Sequence, residues 1–214
     1  MQTLLWIFIR ALEFSSLFIA VPLLIYYRVI PNAPIPYLLL GALAAFLVLR
    51  RDPTFAGARL LSWNSTGPHL LSLFLRDAVC LVLLALAVRL FAPELLFSFV
   101  NRAPAFWALI MLLYPLLSVY PQELLFRAFF FHRYQPLFGS GWGMILASAL
   151  AFGFVHIIFG NRIAVVLSIV GGFLFSLTYQ QSGSLLLTCL DHAIFGNFLF
   201  TIGLGQFFYH GSRH

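Results

Sequence analysis

The sequence has no lysine, and its twelve arginines and six acidic residues leave only 8% of it charged. Soluble domains carry about 25% charge and about 45–50% apolar residues. With 62% of the chain apolar, a soluble globular fold is excluded. The net charge of +6 is spread along the chain and forms no basic arm, which excludes the grouped cationic patch that nucleic-acid binding needs. Only two cysteines occur, Cys80 and Cys189, both inside apolar runs, so they read as small buried hydrophobes and not as a disulfide framework. The zinc signature HExxH is absent, so nothing in the sequence requires a metal or other cofactor. The opening MQTLLWIFIR lacks the basic leader and small-residue cleavage site of a signal peptide, and the first helix is expected to be retained. No internal repeat or low-complexity stretch is found, and this counts against an inverted-repeat transporter.

What is present is a series of apolar runs. At about 20 residues per membrane-spanning helix, the chain holds up to about eight spans, with no room for a soluble domain. The runs cover about residues 11–27, 34–49, 70–91, 105–120, 121–138, 142–159, 163–179 and 185–209. Backbone groups in lipid must be satisfied internally, and no run shows the period-two alternation of a barrel, so the fold class is all-α: a polytopic membrane bundle of about eight helices in one domain, 1–214. The segment 50–68, with Arg50, Arg51, Asp52, Arg59, Leu60, Leu61 and Trp63, suits an interfacial connection. With eight spans both termini share one side, together with Arg50, Arg51, Arg59 and Arg162, while Arg28, Arg102 and Arg133 fall on the other. That bias points to a cytoplasmic N-terminus, and the expected location is a prokaryotic-type inner or plasma membrane.

Ionisable side chains at membrane depth cost a few kcal/mol (~3) unless paired or functional, so they carry the information. Arg10 and Glu13, three residues apart, can pair. Arg76 and Asp77 read as interhelical pairing, His132-Arg133-Tyr134 as an interfacial anchor, and Gly171, Gly172, Gly203 and Gly205 as close helix contacts. The second half concentrates the rest. Glu123 and Arg127, four apart, share a helix face; His156 follows Phe152 by one turn; His192 and Asn197 lie in the last span, just after Asp191. One carboxylate and two imidazoles from three helices can perform hydrolysis in two ways. Either Glu takes a proton from water while His and Asn stabilise the oxyanion, or His156, His192 and Glu123 hold a divalent metal that activates the water.

These residues resemble the glutamic-type intramembrane proteases of the Abi, or CAAX-processing and bacteriocin-processing, family, which includes the eukaryotic CAAX prenyl endopeptidase. That family carries EExxxR, FxxxH and HxxxN on successive helices. Here they stand as Gln122-Glu123-Leu124-Leu125-Phe126-Arg127, as Phe152-Gly153-Phe154-Val155-His156, and as His192 followed by Asn197. The motifs span 122–197 and place a catalytic core at about 104–209, while the N-terminal half resembles the family in hydropathy alone. Two departures stand out: Gln122 occupies the place of the family's first glutamate, and Asn197 follows His192 by five residues instead of four, with Gly196 at the +4 position.

The resemblance implies an intramembrane endopeptidase acting on a membrane-associated protein or peptide in a lipid setting, with no nucleic-acid partner. Glu123 is expected as the general base with Gln122 orienting the water, His156 as its partner in water activation, His192 and Asn197 at the scissile carbonyl, and Arg127 fixing the carboxylate. Glu123, His156 and His192 should then face one cavity, and a widened turn at Gly196 should bring Asn197 beside His192. The alternative is an inactive relative acting as a membrane scaffold or immunity protein, in which a closed Glu123–Arg127 pair is structural.

Overall fold

The computed structural model describes residues 2–62 and 67–209, so Trp63 and Arg213 lie outside the described residues. Among the described residues there are helices and turns but no strands. The long helices are α1 (Leu4–Tyr26), α2 (Pro34–Arg51), α3 (Leu70–Phe91), α4 (Pro104–Arg133), α5 (Trp142–Phe159), α6 (Arg162–Ser182) and α7 (Leu185–Thr201). The first six are long and apolar enough to cross a membrane, and the chain is a multi-pass integral membrane protein of the all-helical class expected.

The break expected at Pro121 is not made: α4 runs unbroken through the fourth and fifth predicted helices. Proline removes an amide and crowds the preceding turn, which normally kinks or ends a helix. Here the backbone absorbs that strain by widening into π-helical turns at Pro115–Val119 and Leu124–Phe129, on either side of Gln122 and Glu123. The same device occurs at Ser16–Ala20, just before Pro22 in α1. Widened turns rotate the residues that follow them relative to a regular helix, and α4 thereby aims Glu123 into the bundle.

Helix starts follow from local chemistry. Pro34 and Pro104 open α2 and α4, where a missing amide is harmless. Asn161 caps α6 by accepting from the Ala164 amide at 2.8 Å, and Ser184 caps α7 by accepting from the Leu187 amide at 3.2 Å. Gly183, at φ +63°, ends α6 in the left-handed conformation that glycine adopts without strain.

The loops fall at two ends. Asp52 meets His132 at 2.9 Å and Ser184 donates to the Ser62 carbonyl, which gathers the connections after α2, α4 and α6. Asn161 donates to the Phe207 carbonyl and Trp107 to Thr201 at the opposite end. With α4 unbroken, Arg133 joins Arg50, Arg51 and Arg59, while Arg162 joins Arg28, Arg89 and Arg102.

The core lies between α1, the second half of α4, α5 and α6. Phe14, Phe18, Phe126, Phe130 and Tyr134 meet edge to face with ring centroids 5.2–5.9 Å apart, a geometry favoured by aromatic quadrupoles. Small residues let α5 and α6 approach closely: a Cβ on Gly153 would overlap Ile169, and one on Gly172 would press on Ala149 and Phe152. The outer faces of α1 and α3 expose Leu4, Trp6, Phe8, Val82 and Leu90, as lipid contact requires.

Candidate active site

Glu123 is fully buried, and its two oxygens are divided between two partners. Oε1 accepts from His192 Nδ1 at 2.7 Å, joining α4 to α7, and Oε2 lies 3.2 Å from Arg127 Nε one widened turn on. A carboxylate can only accept, so Nδ1 of His192 carries a proton; Nε2 lies 3.0 Å from the Tyr114 hydroxyl, which donates to it in the tautomer protonated at Nδ1 alone. Phe175 stacks on the imidazole with centroids 4.5 Å apart and 17° between planes, and Phe152 meets it edge-on at 5.6 Å. The ring is held by two hydrogen bonds and two aromatic contacts.

Arg127 is also fully buried. Its guanidinium lies over the Phe152 ring at 4.7 Å and near the Phe175 ring at 5.6 Å, and Nη2 donates to the Gly172 carbonyl at 3.2 Å. Nε and Nη1 make no hydrogen bond, so its link to Glu123 is an ion pair without hydrogen-bond alignment. The expected anchoring of the carboxylate by Arg127 is thus found in loose form.

Beside this group is a mostly apolar cavity of about 960 Å³. One wall is Leu17, Ile25 and Leu38 from α1 and α2, and the other carries Tyr114, Gln122, His156 and His192. Glu123 does not line it. The shared cavity expected for all three ionisable residues therefore holds for His156 and His192, while the carboxylate stands behind His192. His156 Nδ1 donates to the Phe152 carbonyl at 2.6 Å, which leaves Nε2 as the acceptor of that ring. Gln122 faces the cavity from α4 and donates through Nε2 to Ser118 Oγ at 2.6 Å.

Asn197 goes elsewhere. The helix around Gly196 is regular, not widened, and Asn197 turns to α4, where Nδ2 donates to the Met111 carbonyl at 3.3 Å. That carbonyl would ordinarily bond the amide four residues on, which is Pro115 and has none. Asn197 thus fills a vacancy left by proline and is not brought to His192. Gly196 has a different purpose from the one expected: a Cβ there would overlap the Tyr114 ring, so glycine gives Tyr114 its passage to His192.

The trio named for a metal, His156, His192 and Glu123, does not converge as a ligand set, because both His192 nitrogens and His156 Nδ1 are already engaged. Among the described residues no group of three or more His, Cys, Asp or Glu side chains could hold a metal ion.

A second ion cluster lies on the other side of α7. Arg76 donates to Asp77 through Nε and Nη2 at 2.9 and 2.7 Å, to Asp191 through Nη2 at 2.7 Å, and to Thr178 through Nη1 at 3.1 Å. Thr178 also donates to Asp191 at 2.5 Å. This ties α3, α6 and α7 together, as the pairing reading of Arg76 and Asp77 expects. His132, Arg133 and Tyr134 are a clasp more than a headgroup anchor: His132 meets Asp52, Arg133 binds Glu13 at 2.7 and 2.9 Å, and the buried Tyr134 donates to Glu13 at 3.1 Å. Arg10 reaches Glu13 only at 3.5 Å.

Tyr114 and Phe175 were not among the sequence candidates. The break expected at Pro121 hid the fact that Tyr114 and Glu123 share one helix, and Gly196 was the available signal for a bulky neighbour.

Residues 104–198 match the family model described as Type II CAAX prenyl endopeptidase Rce1-like. No curated protein and no solved structure matches the chain.

Proposed function

We propose, from the match of residues 104–198 to that family model, that the protein is an intramembrane endopeptidase of the CAAX-processing and bacteriocin-processing family, cleaving a membrane-associated protein or peptide. The observation that carries this reading is the 2.7 Å contact of Glu123 with His192, the imidazole of which lines the cavity. A carboxylate on Nδ1 fixes the imidazole tautomer and stabilises the imidazolium that forms when Nε2 takes a proton. Glu123 is therefore the base through His192 and not by direct contact with water. Gln122 and His156, both on the cavity wall, hold the nucleophilic water, and His156 Nε2 accepts a hydrogen bond from it. Arg127 holds the Glu123 carboxyl in place. Asn197 positions α7 against α4 through Met111 and has no access to the scissile carbonyl. The apolar cavity suits a substrate that enters with an apolar segment or lipid chain. A farnesylated peptide ending in a CAAX-type sequence is the first probe, scored for release of the C-terminal fragment in lipid nanodiscs. Cleavage lost in Glu123→Gln and only weakened in Gln122→Ala supports the assignment, and the reverse pattern overturns it.

One observation favours a second reading, an inactive relative serving as a membrane scaffold: Glu123 is fully buried and paired with Arg127 on its own helix. Wild-type protein that cleaves no prenylated or unprenylated peptide would move that reading to first place.

A further inference from the structure

Both His192 nitrogens are committed, Nδ1 to Glu123 and Nε2 to the Tyr114 hydroxyl. Water in the cavity can reach the acceptor atom of His192 only by way of that phenol or by displacing it. Tyr114 is itself on the cavity wall, and its hydroxyl occupies the imidazole nitrogen that Glu123 does not. Its ring is held firmly: one side lies on Gly196, where no side chain could fit, and Phe200 meets it edge-on at 5.3 Å. A phenol both accepts and donates a hydrogen bond, whereas the Gln122 amide beside it cannot exchange a proton at ordinary pH.

We propose that Tyr114 is a catalytic residue, relaying the proton between the attacking water and His192; the inference rests on the endopeptidase reading above. In the attack step the water O–H bond breaks and its oxygen bonds the scissile carbonyl carbon. The released proton goes to the Tyr114 oxygen while the phenolic proton moves to His192 Nε2, and Glu123 holds the imidazolium at Nδ1. In the collapse step the C–N bond breaks and the leaving nitrogen takes the proton of Tyr114, which His192 Nε2 replaces. One water is consumed, and every enzyme group returns to its starting state.

The test uses full-length protein in nanodiscs, with the farnesylated CAAX-type peptide and its unprenylated counterpart as probes. Tyr114→Phe keeps the ring and removes only the hydroxyl. It should lower kcat by about 10²–10⁴-fold with little change in KM. The proton inventory in mixed H₂O and D₂O should change from curved in wild type, where more than one proton moves, to linear in the variant. Gly196→Ala, which pushes the ring off its seat, should lower kcat in the same direction. Retention of kcat within about twofold in Tyr114→Phe overturns the relay. So does a lowered kcat with an inventory as curved as in wild type, which marks a merely structural hydroxyl. In either case an active wild type leaves the endopeptidase reading intact, whereas a wild type that cleaves neither probe overturns both together.

Discussion

Asp191 and His192 are neighbours in α7, yet they belong to two different ion clusters, each built around a buried or half-buried arginine. In the Asp191 cluster the guanidinium is saturated: every Arg76 nitrogen has a hydrogen-bond partner, drawn from α3, α6 and α7. In the His192 cluster Arg127 makes one hydrogen bond and otherwise rests on two aromatic faces. A saturated guanidinium resists any change in its partners and so holds helices together. A guanidinium that acts mainly through charge allows the carboxylate beside it to serve a second partner, here an imidazole. The same pairing chemistry thus supports a joint on one side of α7 and the group proposed as reactive on the other.

The largest test of this contrast is catalytic. Glu123→Gln should lower cleavage of a farnesylated peptide by about 10²–10⁴-fold, while Asp191→Asn, one helical position away from His192, should leave kcat near wild type; equal losses in both would erase the distinction. A stability measurement tests the other side. Arg76→Leu leaves Asp77 and Asp191 buried without their counter-charge and should cost about 3–5 kcal/mol, read as a lowered Tm in detergent. A smaller loss, about 1–3 kcal/mol, is expected for Asn197→Leu, which orphans the Met111 carbonyl. Adding Pro115→Ala, which restores an amide to that carbonyl, should recover part of it.

The smallest effect is at the loop end. The Thr54 hydroxyl, with His132 and the Thr54 amide, holds the Asp52 carboxyl well below the usual carboxylate range. A depressed folded value means stability that is complete above the unfolded pKa of about 3.9 and is lost as pH falls below it. Wild type should therefore be slightly more stable than Asp52→Asn at neutral pH, and the two Tm values should converge under acid.

Helix positions were legible because apolar runs between Pro, Gly and Asn boundaries leave few alternatives in lipid. Pro34, Pro104, Asn161 and Gly183 mark ends by chemistry that needs no tertiary context. Pro121 misled for the opposite reason: the strain it creates is relieved by widening the turns beside it, and hydropathy carries no trace of that. The motifs name Glu123, Arg127 and His192, which the structure places in contact; the spacing of four between Glu123 and Arg127 is a local fact. The place of Asn197 depended on Pro115, 82 positions earlier, and the purpose of Gly196 depended on Tyr114 crossing from another helix. Both are long-range fits that a single sequence does not display.

The uncut course of α4 has a bearing on the two loops that it joins. One 30-residue helix long and apolar enough to cross a membrane separates the loop after α3 from the loop after α4. A reporter that fluoresces only in the cytoplasm, inserted in each loop in turn, should light from one insertion and stay dark from the other.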